Sequence, residues 1–272
     1  MRIAEGDKTF AGSIPEIYDA WLVPLIFAPF AIDLAARVAA LQPAHVLELA
    51  AGTGAVTRRL AQALPVTTEI VATDLNQPMI DRAAVVRPSR PVTWRQADAQ
   101  RLPFPDATFD CVVCQFGVMF FPDKPAAFAE ARRVLKPGGR LLFNTWDRIE
   151  ANEFTAAVVA ALAQVYPQNP PDFLARVPHG YFDHERLRRD VAAGGFTAPV
   201  DIEVVSARSE AASAHVAAVG LCQGTPMRSE IEARGGVTLE QATAAAERAL
   251  VACFGAGAIS GALRAHVVSV AR

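Results

Sequence analysis

Four polar side chains stand out by type and spacing: Glu48, Asp74, Asp98 and Gln115. Each stands in or just after a short run of strand-forming residues. Their chemistry is that of hydrogen-bond acceptors for hydroxyl and amine donors, each carboxylate offering two oxygens. Glu48 interrupts the apolar run Val46-Leu47-Glu48-Leu49, and a carboxylate without a partner in such a setting is costly. Immediately after it comes Ala50-Ala51-Gly52-Thr53-Gly54, a turn of small residues, and then a helical stretch beginning VTRRLAQAL. The first N–H groups of a helix are unpaired and carry partial positive charge, and small side chains let a ligand approach the main chain. Glycine at 52 and 54 also permits positive φ where the chain must turn. This combination predicts a seat for the polar end of a nucleotide-like cofactor. Taken singly, Asp74 reads as a helix cap and Asp98 as a loop acid; the ordered set reads as a site.

A second group lies in Pro178-His179-Gly180-Tyr181-Phe182-Asp183-His184. His179 is the candidate general base, able to deprotonate a phenol or an enol carbon, with Tyr181 to orient it. Asp183 is expected to cap a helix starting at His184, itself a solvated first-turn residue. His215 and His266 are expected to be structural. Cys111 and Cys114 spell C-x-x-C inside FDCVVCQF, which reads as a buried strand. Residues i and i+3 of a strand face opposite ways, which excludes a shared metal or a redox disulfide. With Cys222 and Cys253 they are expected to be packing residues, and no metal site is expected.

The elements that must position these groups alternate. Strands are expected at 45–50, 69–73, 92–96 and 109–114, with helices between them. A helix over KPAAFAEARRVL is followed by a turn at Pro137-Gly138-Gly139 and a fifth strand ending at Trp146. Such alternation implies an α/β, three-layer, doubly wound and mostly parallel sheet, with ligands at the carboxyl ends of its strands. Before it, residues 1–43 are expected to form an N-terminal helical flap, broken into short segments by Pro15, Pro24 and Pro29. After the core at 44–147, residues 148–272 are expected to supply a helix at 152–166, a loop or lid at 167–182, and a helix stopped at Gly194-Gly195. A sixth strand (VDIEVVSA), Ala-rich helices at 210–221, 227–234 and 238–254, and a last strand LRAHVVSVA would complete this substrate side. The whole is expected to be one domain.

Composition narrows the class. The chain has 272 residues, 52% hydrophobic and 20% charged, with a net charge of −2. Interspersed charges of both signs argue against a nucleic-acid or anionic-membrane surface. The sequence shows no unbroken apolar run of the roughly 20 residues needed to span a bilayer and no signal peptide at its start, so a cytoplasmic location is expected.

The glycines alone leave a dinucleotide open, since Asp74 would also suit NAD. The wider pattern narrows it. E-x-A-x-G-x-G from Glu48, A-T-D-L-N at 72–76, Q-A-D-A at 96–99, L-P-F with D-A-T-F-D across 102–110, and V-L-K-P-G-G-R-L at 134–141 follow one another in order. Together they closely resemble the class I (Rossmann-like) S-adenosylmethionine-dependent methyltransferases, in the branch similar to quinone-biosynthesis C-methyltransferases. The resemblance covers about 44–146. It implies a seven-stranded sheet whose antiparallel last strand lies between strands five and six. It implies S-adenosylmethionine as cofactor and S-adenosylhomocysteine as product, with Glu48 and the main chain of Ala50, Ala51, Gly52, Thr53 and Gly54 at the methionine half. Asp74 would take the ribose hydroxyls, Leu75 and Met79 would flank the adenine, Asp98 and the Ala99 N–H would meet its edge, and Gln115 and Phe116 would sit beside the sulfonium. Tyr18 resembles an aromatic residue that helps close the site. Ala50 replaces the usual first glycine, at little expected cost, and no N-P-P-Y follows the fourth strand. Trp21, Phe27, Met119 and Tyr181 are expected to line an apolar pocket for a small hydrophobic or aromatic acceptor. A monomer or homodimer is expected. A non-catalytic cofactor-binding protein and a nicotinamide-dependent oxidoreductase are the rival readings.

Overall fold

The computed structural model describes residues 3–272. Seven strands form one sheet in the order β3-β2-β1-β4-β5-β7-β6. They are β1 (His45–Leu49), β2 (Glu69–Asp74), β3 (Thr93–Gln96), β4 (Phe109–Gln115), β5 (Leu135–Trp146), β6 (Asp201–Ala211) and β7 (Ile259–Ala271). Strands β1 to β5 are parallel, and β7 runs antiparallel between β5 and β6. This is the sheet that the resemblance implies.

Strand β1 pairs with β2 on one side and β4 on the other, so chain progression reverses there and a crevice opens beyond the strand ends. Register then brings the polar residues together: Asp74 lies opposite Gln96, Leu49 opposite Cys114, and Gln115 opposite Asn144. Both faces of the sheet are covered. Leu47, Leu49, Val112 and Cys114 enter one core, and Val46, Cys111 and Val113 enter the other. Cys111 and Cys114 therefore face opposite ways, as the strand period requires. Cys253 is exposed rather than packed.

Crossover helices α3 (Ala55–Ala63), α4 (Gln77–Val86) and α5 (Lys124–Val134) connect the parallel strands. The helix ahead of the sheet departs from expectation. Residues Ile14–Ala40 form one continuous helix, made of α1 (Ile14–Ile17), a π-helical stretch Tyr18–Phe27 and α2 (Ala28–Ala40). Pro15 falls in the first turn, where no N–H is missed, and Pro29 stands just after the junction at which the π-helical stretch gives way to α2. Pro24 lies in the π-helical stretch, whose i→i+5 pattern relieves the clash a proline makes in an α-helix. The wider turn also re-aims side chains. Nine residues separate Tyr18 from Phe27, about two and a half α-helical turns, which would place them on opposite sides; here their rings are 5.1 Å apart. This helix is long and apolar enough to cross a membrane by length and composition, contrary to the expectation that no stretch reaches that length. Its Leu22, Leu25 and Phe30 pack into one core and its Ala31, Leu34 and Val38 into the other, which makes it a core helix.

The carboxyl half is more closely packed than a lid. Helix α6 (Glu153–Val165) leads into α7 (Phe173–Arg176) and a short turn, where Phe173, Leu174, Val177, His179 and Tyr181 are all buried. Helix α8 (His184–Ala193) is capped by Asp183, whose carboxylate accepts from the Arg186 N–H at 2.7 Å. His184 is not simply solvated: its Nε2 lies 2.9 Å from Nδ1 of His266 on β7. Helices α9 (Ala214–Gln223), α10 (Met227–Arg234) and α11 (Leu239–Phe254) separate β6 from β7. Ahead of α1, the strap at residues 4–13 crosses toward the strand ends. Asp7 anchors it through a bidentate pair with Arg176 at 2.7 and 3.0 Å, and Arg176 also reaches Glu230 at 2.9 Å.

Candidate active site

Two cavities open at the carboxyl ends of the strands. The first, about 1030 Å³, runs from the β1 turn past β2 to the β4 turn. At its floor the β1 turn folds back on itself: Ala51 N–H donates to the Thr73 carbonyl at 2.9 Å, and Gly54 N–H to the Ala51 carbonyl at 2.9 Å. Ala50, Gly52 and Gly54 all have positive φ, at 50°, 57° and 84°. Glycine adopts this region freely, whereas a left-handed alanine costs about 1–2 kcal/mol. Ala50 is therefore a strained position, not the nearly free replacement expected. Its methyl fits because residue 117 is glycine: a Cβ there would stand 2.5 Å from the Ala50 Cβ. Nothing in the spacing of the sequence marks Gly117 as the partner of Ala50.

Asp74 is the pivot of this cavity. One carboxylate oxygen accepts from the Gly52 N–H at 2.8 Å and the other from the Asn76 N–H at 2.8 Å. Burial pushes its carboxyl above the usual carboxylate range, and those main-chain donors pull against that shift. Oδ2 retains a lone pair for a further donor, and the second acceptor position of Oδ1 is met only by the Asn76 side-chain amide at 3.5 Å, the outer limit of a hydrogen bond. Leu75 and Met79 supply apolar walls, Asp98 and Ala99 continue the rim, and Gln115 and Phe116 form the far wall. Asp98 is exposed, and its Oδ1 accepts from the Gln100 N–H at 2.9 Å. The Gln115 Oε1 is buried with no hydrogen-bond partner, an acceptor left over on a residue that lines the cavity.

Glu48 lies one layer behind this wall. It is 1% exposed, and its Oε2 accepts from the Thr57 hydroxyl at 2.6 Å. Burial pushes its carboxyl up to about 8 against the opposing pull of Thr57 and Arg58. The partner of Glu48 is thus the third residue of α3, nine positions along the chain, a link invisible without the fold. Ala51, Thr53 and Gly54 shape the turn from behind and do not line the cavity among the described residues. A Cβ on Gly54 would meet the Trp94 ring at 2.9 Å.

The second cavity, about 590 Å³, adjoins the first and is walled mostly by aromatic and aliphatic side chains. Phe10, Tyr18, Phe116 and Phe120 border both, so the two share a wall. Phe116 is held in the left-handed region (φ 49°). The Asn144 side-chain oxygen accepts its N–H at 2.8 Å, and its ring stacks on Trp146 with centroids 3.8 Å apart. Tyr18 leans over Gly52, its hydroxyl 3.9 Å from where a Cβ would be. Burial, with the nearby Asp74 and Asp19 carboxylates, pushes its phenol far up, so it is a donor and not a base. Asp19 ties this residue's helix to the cofactor side through Arg58 at 3.3 Å and Arg82 at 3.1 Å.

Of the side chains expected around an acceptor, Phe27 and His179 line this cavity. Three others do not. Trp21 turns the other way and packs edge-on against His215, because the π-helical turn aims Tyr18 and Phe27 inward instead. Met119 is 0% exposed and its carbonyl accepts from the buried Lys124 ammonium at 3.2 Å. Tyr181 is equally buried, its hydroxyl donating to Asp190 at 3.0 Å and its ring covered by Lys124 and Arg186. Sequence reading missed Phe10, Phe120, Trp146, Phe173 and Leu221, which lie far apart in the chain and meet only here.

Residues 47–143 match the family described as the methyltransferase domain. Among curated proteins, the chain is 34% identical over 164 residues to the ubiquinone/menaquinone biosynthesis C-methyltransferase of Saccharophagus degradans, covering 56% of this chain and 66% of that one. It is 38% identical over 127 residues to the enzyme of the same name from Pseudomonas aeruginosa, covering 45% and 50%. The chain thus spans about half to two thirds of the length of the curated relatives it matches. Among solved structures, an S-adenosylmethionine-dependent methyltransferase of Thermotoga maritima superposes with a TM-score of 0.52 at 16% identity, over 94% of this chain and 95% of that one. The [4+2]-cyclase SpnF superposes at 0.53 with 22% identity, over 86% and 78%. The fold is therefore the class I methyltransferase fold, and the cyclase shows that this fold is also shared by a protein named for another reaction.

Proposed function

We propose that this chain, a methyltransferase domain on the class I sheet, transfers the activated methyl group of S-adenosylmethionine to a small, largely apolar acceptor, with S-adenosylhomocysteine as the other product. The observation that carries this reading is the shared wall between the two cavities: one is polar and built on main-chain donors and Asp74, the other apolar, and they meet at Tyr18 and Phe116.

The residues suit that cofactor. The open lone pair of Asp74 Oδ2 and the weakly occupied second position of Oδ1 suit two vicinal hydroxyls, and Leu75 and Met79 offer apolar faces to a purine. The unpartnered Gln115 Oε1 suits an ammonium donor. A sulfonium makes the methyl carbon electrophilic, so the cofactor supplies the difficult chemistry. What remains for the protein is placement and exclusion of water. Phe116 and Tyr18 set the border at which an acceptor's nucleophilic atom must lie about 3–3.5 Å from the methyl, in line with the breaking bond. The strap and the aromatic residues at 10, 120 and 173 cover the approach and would keep water out.

The curated relatives carry C-methylation in their names, which favours an electron-rich ring carbon as acceptor; transfer to oxygen fits the same cavity. We read the chain as one domain with a helical cover at each end, acting on a small molecule in the cytoplasm. Native mass spectrometry of the purified protein, followed by transfer of labelled methyl to a panel of aromatic acceptors, tests the proposal. Retained S-adenosylmethionine or its demethylated product and a labelled acceptor are expected. Cofactor binding without turnover on any acceptor would favour a non-catalytic role, and stabilisation by NAD(P)H but not S-adenosylhomocysteine would overturn the reading.

A further inference from the structure

The acceptor cavity carries no formally charged side chain among its lining residues. Its polar groups are few, and most are engaged. The Asn152 amide donates to the Arg148 and Arg264 carbonyls at 3.2 and 3.3 Å, and its oxygen accepts from the Arg264 N–H at 3.1 Å. Thr225 donates to the Leu221 carbonyl at 3.0 Å and accepts from the Met227 N–H at 3.2 Å. Thr155 offers a hydroxyl, which both donates and accepts. Tyr18 keeps its proton and donates.

His179 is different. Its Nδ1 lies 2.8 Å from the Asp147 carbonyl oxygen. A carbonyl only accepts, so Nδ1 must carry the hydrogen. Burial pushes this imidazole down to about 4, so at neutral pH it holds that one proton and no second. Nε2 is then a bare lone pair. It makes no hydrogen bond among the described residues, and the ring, 5% exposed, borders the cavity. The tautomer is set from behind by a main-chain group that cannot titrate or rotate away.

We propose that His179 Nε2 is the reading group of the acceptor cavity, so that the acceptor is a neutral aromatic or similarly apolar molecule presenting a hydroxyl donor, and that carboxylate and phosphate acceptors are rejected. The inference rests on the methyl-transfer reading above and names the acceptor class for that same site. An acceptor lacking the hydroxyl leaves Nε2 buried and unpaired, and an anion meets a lone pair in an apolar cavity whose lining supplies no charged side chain to offset it. The weak basicity that burial imposes makes His179 a hydrogen-bond acceptor that orients the hydroxyl, in place of the general base expected from its type.

The test is direct binding with S-adenosylhomocysteine at saturation, using 1-naphthol, 1-methoxynaphthalene and 1-naphthoate as probes. S-Adenosylhomocysteine binding is measured first; if it fails, the underlying reading fails, separately from this one. The wild-type protein is expected to bind 1-naphthol about tenfold more tightly than its methyl ether, one well-made hydrogen bond, and 1-naphthoate more weakly still by at least tenfold. His179→Asn retains an amide donor for the Asp147 carbonyl but does not reach the cavity, and should level the naphthol and ether affinities to within twofold at an unchanged melting temperature. His179→Gln, whose oxygen reaches the Nε2 position, should restore part of the preference. Equal binding of naphthol and ether by the wild-type protein overturns the inference whether or not the variants fold. So does a preference undiminished in His179→Asn, or tight binding of naphthoate.

Discussion

Replacing Asp74 with asparagine isolates the charge at the centre of the cofactor cavity. In the native protein both oxygens already accept a main-chain N–H at 2.8 Å, from Gly52 and from Asn76. In Asp74→Asn one of them becomes an NH2 group facing a donor, and the other loses its charge. Hydrogen bonds to a charged group contribute about 1.5–3 kcal/mol against about 0.5–1.5 for neutral pairs. Two ligand hydroxyls weakened by about 1 kcal/mol each, with about 1 kcal/mol more for the lost acceptor, total about 3 kcal/mol, or on the order of a hundredfold in affinity. Folding should suffer less, because burial already disfavours the carboxylate and the amide removes that cost. Isothermal titration with S-adenosylhomocysteine measures the first quantity, and thermal unfolding of the ligand-free protein the second. A dissociation constant within threefold of wild type, in a variant that melts normally, would refute the assignment of Asp74 to ligand hydroxyls. Asp98→Asn, at an exposed rim position, should cost only a fewfold and serves as the comparison.

Glu48 makes ligand-free stability depend on pH. Its pKa is raised from 4.5 to about 8 in the folded protein, so its contribution is fully present below about 4.5 and is lost as pH rises through about 8. Glu48→Gln keeps an acceptor for Thr57 but cannot ionise, so its melting temperature relative to wild type should climb by several degrees between pH 5 and pH 8, at about 2–4 °C per kcal/mol; an offset independent of pH rules this out. Arg176→Met removes the bidentate partner of Asp7, whose side chain is 5% exposed, and leaves that carboxylate buried without its counter-ion, the Ala4 N–H still donating to it at 2.7 Å. Hydrogen exchange at the strap, read at the Phe10 N–H that Asn76 accepts, should accelerate at least tenfold; unchanged protection would mean the strap is held by its aromatic contacts alone.

The cofactor half of the site was legible in the chain because its groups follow from local patterns. Each acid stands at or beside the end of a short strand, the strands alternate with helices, and a parallel sheet with right-handed crossovers places adjacent strand ends together. Asp74, Leu75, Met79, Asp98, Ala99, Gln115 and Phe116 needed little more than strand register to meet around one cavity. Glu48 was noticed for the right reason, a carboxylate in an apolar strand, yet its partner Thr57 sits behind the wall and only packing reveals which way the carboxylate points.

The acceptor half was decided by tertiary structure. Its wall gathers residues from Phe10 to Leu263, and no periodicity links positions so far apart. A π-helical stretch, with nothing in its spacing to announce it, swung Phe27 beside Tyr18 and turned Trp21 away. Tyr181 and Met119 had the composition of a pocket lining, but the burial of Lys124 against both directed them into the core. Local sequence determines which segments become strands and where their ends fall. Which of several equally apolar side chains faces a void depends on how distant helices pack, because the hydrophobic effect that buries them is indifferent to direction.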